Sequence, residues 1–378
     1  MESKFDDIRP FNNNEIYPAM IELADDKNLY DMVHSFFPDI QDEAIREAVL
    51  NIRTTEDMQK KFMYPLIQKI VSLTTDNLFL EGIEHISRDK SYVFVSNHRD
   101  IVLDSAIFQY LLVKNNFKTT GILFGDNLLQ NNIMRTIAKS NKLFIAFRGA
   151  SIKDFFENSK LLSEYIRYQI KNLNQSVWLA QRNGRTKDGN DLTEQGLLKM
   201  LDMSGNKDFI ESFSELNIVP FSVSYEYEPC DYLKAREVYI STKLHYIKQE
   251  KEDLNSITIG LKQYKGNVKF SICDPINLDD LLQASQNKLY NEKLKALSNI
   301  IDERIHRSFA LWKTNYIAYD LINKTNTFVD KYSSTDKENF IEYVNNATGQ
   351  NTNLHEEQYR EIFLNIYANP VVNKLKYK

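Results

Sequence analysis

The chain has 378 residues, a formal net charge of −5 and 42% apolar residues, a composition typical of a folded globular protein. Its nearly balanced charge creates no global field that would attract nucleic acid, so any basic site must be local. Two cysteines are too few for a disulfide scaffold. Because no run of about 18 apolar residues is present, no segment is expected to span a membrane by itself.

The pattern of apolar residues changes twice along the chain. Residues 1–75 carry apolar side chains at spacings of three and four, which predicts an N-terminal helical region. Residues 76–285 alternate apolar and polar positions in short runs, which predicts strands at 92–96, 120–124, 142–147, 176–181, 218–224 and 268–272. Strands separated by helical segments predict an α/β fold with a mostly parallel central sheet flanked by helices.

Two helices are predicted in more detail. One begins at Ser151, which opens a Ser-x-x-Asp capping signature, and places Phe155 on the same apolar face as three later residues. The other belongs to a C-terminal helical region, 286–378, in which one apolar stripe runs without interruption from Leu294 to Tyr316. That stripe predicts a continuous helix packed on the α/β body, with a face that dips into a membrane as the alternative.

A charged cluster, His98-Arg99-Asp100 with Asp104, directly follows the strand predicted at 92–96. A histidine beside an orienting carboxylate is the minimal general base for activating a hydroxyl, although a salt-bridged turn is the simpler alternative. His-Arg-Asp also occurs in the catalytic loop of protein kinases. The chain lacks the glycine-rich loop, the strand lysine and the Asp-Phe-Gly triplet of that family, so a kinase is excluded.

Two aspartates could orient His98. A helix starting at Ile101 would have Asp100 as its N-cap, since an aspartate there satisfies an amide at position 102 or 103. His98 would then lie in the loop before the helix, and Asp104, in the first turn, could point back at it. This arrangement assigns capping to Asp100 and orientation of the imidazole to Asp104.

Cationic residues follow two other predicted strands. In open α/β sheets ligands gather at the carboxyl ends of strands, and arginine binds phosphate oxygens through a planar fork. Neighbouring glycines allow close approach of the backbone. For the cations that follow 176–181, a solvated run of charges is an equally simple interpretation. The residues concerned are Arg148, after 142–147, and Arg182, Arg185 and Lys187, after 176–181.

The sequence carries no metal-ligand spacing, Walker loop or dinucleotide fingerprint, so neither a metal nor another cofactor is expected. A base that activates a hydroxyl, next to a phosphate cradle, suggests acyl transfer onto a phosphate-bearing alcohol.

Four blocks, in order, resemble those of the glycerolipid acyltransferase superfamily, which includes glycerol-3-phosphate and lysophosphatidate acyltransferases. They are SNHRDIVLD, KLFIAFR, AQRNGRTKDG and NIVPFSVSYEY. The resemblance covers roughly residues 76–285. The amino-acid sequence of the first block is most similar to a bacterial branch of the family.

The resemblance implies a role for each matching residue. His98 would deprotonate the acceptor hydroxyl with Asp104 holding its imidazole, and Pro220 would shape the acyl-donor side. The acceptor, a glycerophosphate or a lysophospholipid, would be bound by Arg148, Arg182, Asn183, Gly184, Arg185 and Lys187. The donor would be acyl-CoA or acyl-acyl carrier protein. The enzyme would be cytoplasmic and peripherally bound to the inner face of the cell membrane.

Two departures from the family pattern leave alternatives open. Five residues instead of four separate His98 from Asp104, and Asn183 stands where the family has glutamate. These departures motivate a second hypothesis, a non-catalytic or regulatory lipid-binding relative. A hydrolase using His98 with a serine is a third, although no G-x-S-x-G elbow is present.

Overall fold

The computed structural model describes residues 3–129, 132–147, 149, 151–249, 251–349 and 356–377. Within these ranges seven strands form one sheet. The strands are β1 (Thr75–Glu81), β2 (Val93–Ser96), β3 (Gly121–Gly125), β4 (Leu143–Ala146), β5 (Val177–Ala180), β6 (Ile218–Tyr225) and β7 (Gly266–Ile272).

Helices precede, separate and follow the strands. They are α1 (Asn13–Ala24), α2 (Lys27–His34), α3 (Asp42–Leu50), α4 (Thr55–Asp57), α5 (Tyr64–Thr74), α6 (Leu103–Lys114), α7 (Asn132–Ser140), α8 (Ile152–Asn172), α9 (Gln195–Asp202), α10 (Phe209–Ser214), α11 (Asp231–Ser241), α12 (Glu252–Lys262), α13 (Leu278–Ser285), α14 (Tyr290–Ser308), α15 (Lys313–Asn323), α16 (Ser334–Gly349) and α17 (Glu356–Leu375). A π-helical turn, Met58–Met63, joins α4 to α5.

The strand order is β1-β7-β6-β2-β5-β3-β4, and every neighbouring pair is parallel except β6 and β7. Strands β2 to β6 therefore run in one direction, and their carboxyl ends lie along one edge, which we call the carboxyl edge. The amino ends of these five strands form the opposite, amino edge. The predicted α/β fold with a mostly parallel sheet and flanking helices is confirmed.

All six predicted strands are present, each within two residues of its predicted bounds. Strand β1 was not predicted, because its sequence, TDNLFLE, is mostly exposed or half-buried and gives a weak signal. It pairs with β7 at the border of the sheet, where a strand needs fewer apolar side chains.

Alternation along the strands gives the sheet two apolar faces. In β2, Phe94 packs on one face with α5 and α6, while Val93 and Val95 pack on the other with α8 and α14. Fully buried strands read as continuous apolar runs, which is why the core strands were visible in the sequence.

The helices outside the sheet form two further apolar clusters, one from α1 to α3 and one from α11 with α15 to α17. The continuous helix predicted from Leu294 to Tyr316 is wrong: α14 ends at Ser308 and α15 begins at Lys313. Spacings of three and four persist across the break by coincidence, since Phe309 at the break is in extended conformation.

The first turn of α8 also differs from prediction. Ser151 caps the helix as expected, its Oγ accepting a hydrogen bond from the amide of Asp154 at 3.1 Å. Phe155, however, is 59% exposed and does not join the buried face of the helix. Among the described residues, none of the helices is long and apolar enough to cross a membrane.

Candidate active site

The site begins where β2 ends at the carboxyl edge. Asn97 continues the pairing of β2 with β6 through its side chain, since its amide group both donates to and accepts from the backbone of Val223, at 2.9 and 2.7 Å. The carbonyl of His98 then accepts the amide hydrogen of Thr186 at 2.8 Å. His98, in the loop that follows β2, is thus bonded to the loop that follows β5.

His98 and Asp104 form a hydrogen bond of 3.0 Å between Nδ1 and Oδ2. A carboxylate only accepts, so Nδ1 carries the proton and Nε2 of the neutral ring is left with its lone pair. Within the described ranges, Nε2 makes no hydrogen bond to the protein. The ring is 13% exposed, which leaves it accessible from the carboxyl edge.

Asp104 is fully buried, and both of its oxygens are occupied. Besides His98, Oδ2 accepts the backbone amides of Arg99 at 2.6 Å and Asp100 at 2.9 Å. Oδ1 accepts the hydroxyl of Tyr225 at 2.8 Å. Burial and the nearby carboxylates raise the pKa of Tyr225 well above its usual value, so this hydroxyl remains a donor. The carboxylate is therefore held by four donors.

Asp100 has the capping role expected from the sequence. Its Oδ1 accepts the amides of Val102 at 2.9 Å and Leu103 at 2.8 Å. The helix itself begins at Leu103 and not at Ile101. The bend at 101–102 takes up the additional residue of the motif, and Asp104 still reaches His98.

Arg99 lies beneath the site, 1% exposed, in a network of buried charges. It donates to Asp191 at 2.5 Å and to Glu228 at 3.3 Å, and Glu228 also accepts from Lys234 at 2.6 Å. Burial alone would lower the pKa of Arg99, but the two carboxylates outweigh it and raise that pKa. The four side chains carry two charges of each sign, so the network is neutral overall.

The cations after β5 are placed differently from one another. Arg185 donates through Nη2 to Ser256 at 3.0 Å, while its buried Nη1 has no partner among the described residues. The Nε of Arg182 is also buried without a partner. Lys187 forms an ion pair with Glu237, so its charge is already neutralised. Arg185 and Arg182 thus retain donors that no described residue uses, on the loop whose Thr186 bonds to His98.

Three further residues were predicted to bind the acceptor. Asn183 and Gly184 are exposed at the tip of the loop, and Gly184 has a φ of +76°, which favours glycine. Arg148 lies outside the described residues.

Pro220 is buried inside β6, paired with Val95 of β2. Its carbonyl accepts the amide of Cys273 at 3.0 Å, just beyond the end of β7. The missing N–H faces the same side, where the ladder has ended, so a proline is tolerated in this central strand. Because it is buried, Pro220 can affect an acyl donor only indirectly, through the path of the β6 backbone.

No sequence pattern points to the buried network around Arg99. Asp191, Glu228 and Lys234 lie in unremarkable polar stretches, and only the fold brings them to Arg99. Tyr225 could have been found, because it ends the apolar strand of the fourth block at the carboxyl edge. Across the described ranges, His, Cys, Asp and Glu form no group able to hold a metal ion.

A match to a protein-family model agrees with the sequence motifs. Residues 77–222 match the model of the acyltransferase family and form an acyltransferase domain, which confirms the resemblance to the glycerolipid acyltransferase superfamily. Among solved structures, the 1-acyl-sn-glycerophosphate (LPA) acyltransferase PlsC from Thermotoga maritima is similar at 14% identity and a TM-score of 0.38, over 76% of this chain and 92% of that one. No curated protein matches.

The two aspartates should differ in their effect on stability. Asp104→Asn turns an oxygen surrounded by donors into an NH₂ group that faces a donor, and should lower the free energy of unfolding by about 1–3 kcal/mol. Asp100→Asn should cost only a few tenths, roughly, because asparagine caps nearly as well. Urea denaturation measures both, and equal losses would contradict the four-donor description of Asp104.

Proposed function

We propose that the protein is an O-acyltransferase that moves a fatty acyl group from acyl-CoA or acyl-acyl carrier protein to the hydroxyl of a glycerophosphate or lysophospholipid. The observation that carries this proposal is the His98–Asp104 pair at the carboxyl edge, with Nε2 unbonded to the described residues. The loop after β5 adds arginine donors that no described residue uses. The match of residues 77–222 to the acyltransferase family supports the reaction class.

The geometry supports a direct transfer. Nε2 of His98 takes the proton of the acceptor hydroxyl as its oxygen attacks the thioester carbonyl. Asp104 stabilises the imidazolium that forms and keeps the ring in the required tautomer. The tetrahedral intermediate collapses with cleavage of the C–S bond, and the departing thiolate receives the proton from His98. The products are an ester and a free thiol.

The unused donors of Arg182 and Arg185 support an acceptor that carries a phosphate. A buried donor without a partner is costly, and an anion would satisfy it. Charge-assisted bonds from a guanidinium to phosphate are strong and directional. In this proposal Arg148 shares the phosphate, Asn183 and Gly184 line its approach, and Lys187 holds the loop in place through its ion pair with Glu237.

Two departures from the family pattern suggested the alternative of a non-catalytic lipid-binding relative, and one of them no longer supports it. The additional residue between His98 and Asp104 does not prevent their hydrogen bond, because the bend at 101–102 accommodates it. Asn183 in place of glutamate remains as the other motive. A serine hydrolase has no support in the described residues, where no serine hydroxyl bonds to His98.

Turnover of an acyl thioester in the presence of a panel of glycerophosphate and lysophospholipid acceptors tests the reaction class. His98→Ala should lower kcat by about 10²–10⁴, the usual contribution of a positioned general base. His34→Ala, at a half-buried histidine also paired with an aspartate, is the matched control and should retain activity. An inactive wild-type protein would favour the lipid-binding alternative, and an active His98→Ala would remove His98 as the base.

Arg185→Lys keeps the charge but loses the planar fork. The loss of one charge-assisted bond, worth about 1.5–3 kcal/mol, should raise the acceptor KM by roughly 10- to 150-fold with little change in kcat. Arg88→Lys, at an exposed arginine near the amino edge, is the control. Steady-state kinetics with varied acceptor gives both constants, and an unchanged KM would exclude Arg185 from the cradle.

We further propose that the protein acts at the inner face of the cell membrane as a peripheral protein. Exposed apolar residues lie on two segments at the carboxyl edge: Ile152 and Phe156 in the first turn of α8, and Leu244 and Ile247, each 70% exposed, between α11 and α12. Three lysines, at 243, 248 and 251, accompany the second segment. Apolar side chains with interspersed lysines suit an anionic lipid surface.

Leu244→Ser with Ile247→Ser should weaken sedimentation with phosphatidylglycerol vesicles, and high salt should release the wild-type protein. Leu278→Ser with Leu289→Ser is the matched control, because these leucines are 58% and 64% exposed near the opposite, amino edge. Equal binding by both double variants would exclude this surface. Wild-type protein that stays bound in high salt and alkaline carbonate would not be peripheral.

A further inference from the structure

Helix α17 (Glu356–Leu375) contacts two loops that carry site residues, although it lies far outside the matched stretch 77–222. We propose that α17 is a positioning element of the acyl-transfer site and that Tyr367 is the residue through which it holds His98. The description of the site as an acyl-transfer site rests on the proposed function, whereas the contacts of α17 do not depend on a substrate.

The first contact is with the loop after β5, which carries Arg185. Gly189 of this loop has a φ of +77°, and a Cβ there would lie 2.2 Å from the carbonyl oxygen of Ile366. Only glycine therefore allows the backbone of α17 to approach so closely. Asn369 then donates to the carbonyl of Asp188 at 2.7 Å. The loop that presents Arg185 is thus held directly by α17.

The second contact is with the segment after β6. The buried hydroxyl of Tyr367 accepts the amide of Glu228 at 3.0 Å and donates to Oδ2 of Asp231 at 2.6 Å. A hydroxyl has one proton and free lone pairs, so both bonds form together. Tyr367 therefore fixes the backbone at Glu228 with respect to α17.

From Glu228 the contacts lead to His98 in two steps. The carboxylate of Glu228 binds the side chains of both Arg99 and Lys234, and Lys234 also donates to the carbonyl of Arg99 at 2.6 Å. The amide of Arg99 in turn donates to Asp104. Arg99 directly follows His98 in the chain, so its position determines where the imidazole lies.

Burial makes this chain of contacts stiff. A displacement of Glu228 would leave the cations of Arg99 and Lys234 without one of their partners, away from water, which is strongly unfavourable. The backbone that Tyr367 holds and the backbone that carries His98 must therefore move together.

Tyr367→Phe removes the hydroxyl with little change in shape. It should lower kcat by about 10- to 100-fold, the scale of a small misplacement of a catalytic group, with the acceptor KM within about two-fold. Tyr359→Phe is the control: this tyrosine is equally buried in α17, and its hydroxyl donates to the carbonyl of Tyr232. Both variants should lose similar Tm, but only Tyr367→Phe should lose kcat.

Asn369→Ala tests the contact of α17 with the loop after β5. It also provides a test of the inference if Tyr367→Phe fails to fold. It frees the loop that carries Arg185, so it should raise the acceptor KM about ten-fold or more and leave kcat within about two-fold. Tyr367→Phe is thus expected to change kcat and Asn369→Ala to change the acceptor KM. A general loss of stability would not separate the two constants in this way. Equal effects of Tyr367→Phe and Tyr359→Phe on kcat, or no KM effect of Asn369→Ala, would overturn the inference.

A readout without substrate separates this inference from the proposed function. With ¹³C-labelled histidine, the Cε1 signal of His98, assigned by its loss in His98→Ala, should shift in Tyr367→Phe and stay in place in Tyr359→Phe. An unshifted signal in folded Tyr367→Phe would refute the positioning role. If the signal shifts but no acyl thioester is turned over by wild-type protein, the positioning role stands and the proposed reaction falls.

Discussion

The arrangement of the site depends on one buried carboxylate, that of Asp104. A charge without solvent is tolerated only when it is hydrogen-bonded, and this one has four donors. Two are amides of its own turn, one is the imidazole of His98 and one is the hydroxyl of Tyr225, from a different strand. Satisfying Asp104 forces residues 98–100 to wrap around it, which orients the imidazole and delays the start of α6.

The rest of the fold holds that turn in place from three directions. The loop after β5 bonds to the carbonyl of His98, β6 supplies Tyr225, and the buried network around Arg99 connects the turn to α11 and, through Glu228, to α17. The family match includes the loop after β5, ends within β6 before Tyr225, and does not reach α11 or α17. The C-terminal helices are therefore structurally continuous with the acyltransferase domain.

What the sequence predicted was local or periodic. Six strands, the cap at Ser151 and the cap at Asp100 each follow from a few neighbouring residues, and the His98–Asp104 pairing follows from the geometry of one turn. The partners of Arg99, Asp191 and Glu228, lie 92 and 129 positions further along the chain, and no short pattern encodes such separations. The helix break after Ser308 was missed because apolar periodicity does not report a change of backbone direction. Phe155 was assigned to a buried face because hydropathy alone cannot distinguish an interior side chain from one that faces another surface.

Asp104 holds His98 by its Nδ1 and leaves Nε2 able to accept a proton. Long-range ¹H–¹⁵N spectra of ¹⁵N-histidine-labelled protein, with His98 assigned from His98→Ala, determine which ring nitrogen carries the hydrogen in the neutral form. The structure predicts a proton on Nδ1 and a bare Nε2. A proton on Nε2 would mean that Nδ1 does not donate to Asp104, and would contradict both the pairing and the role of His98 as base.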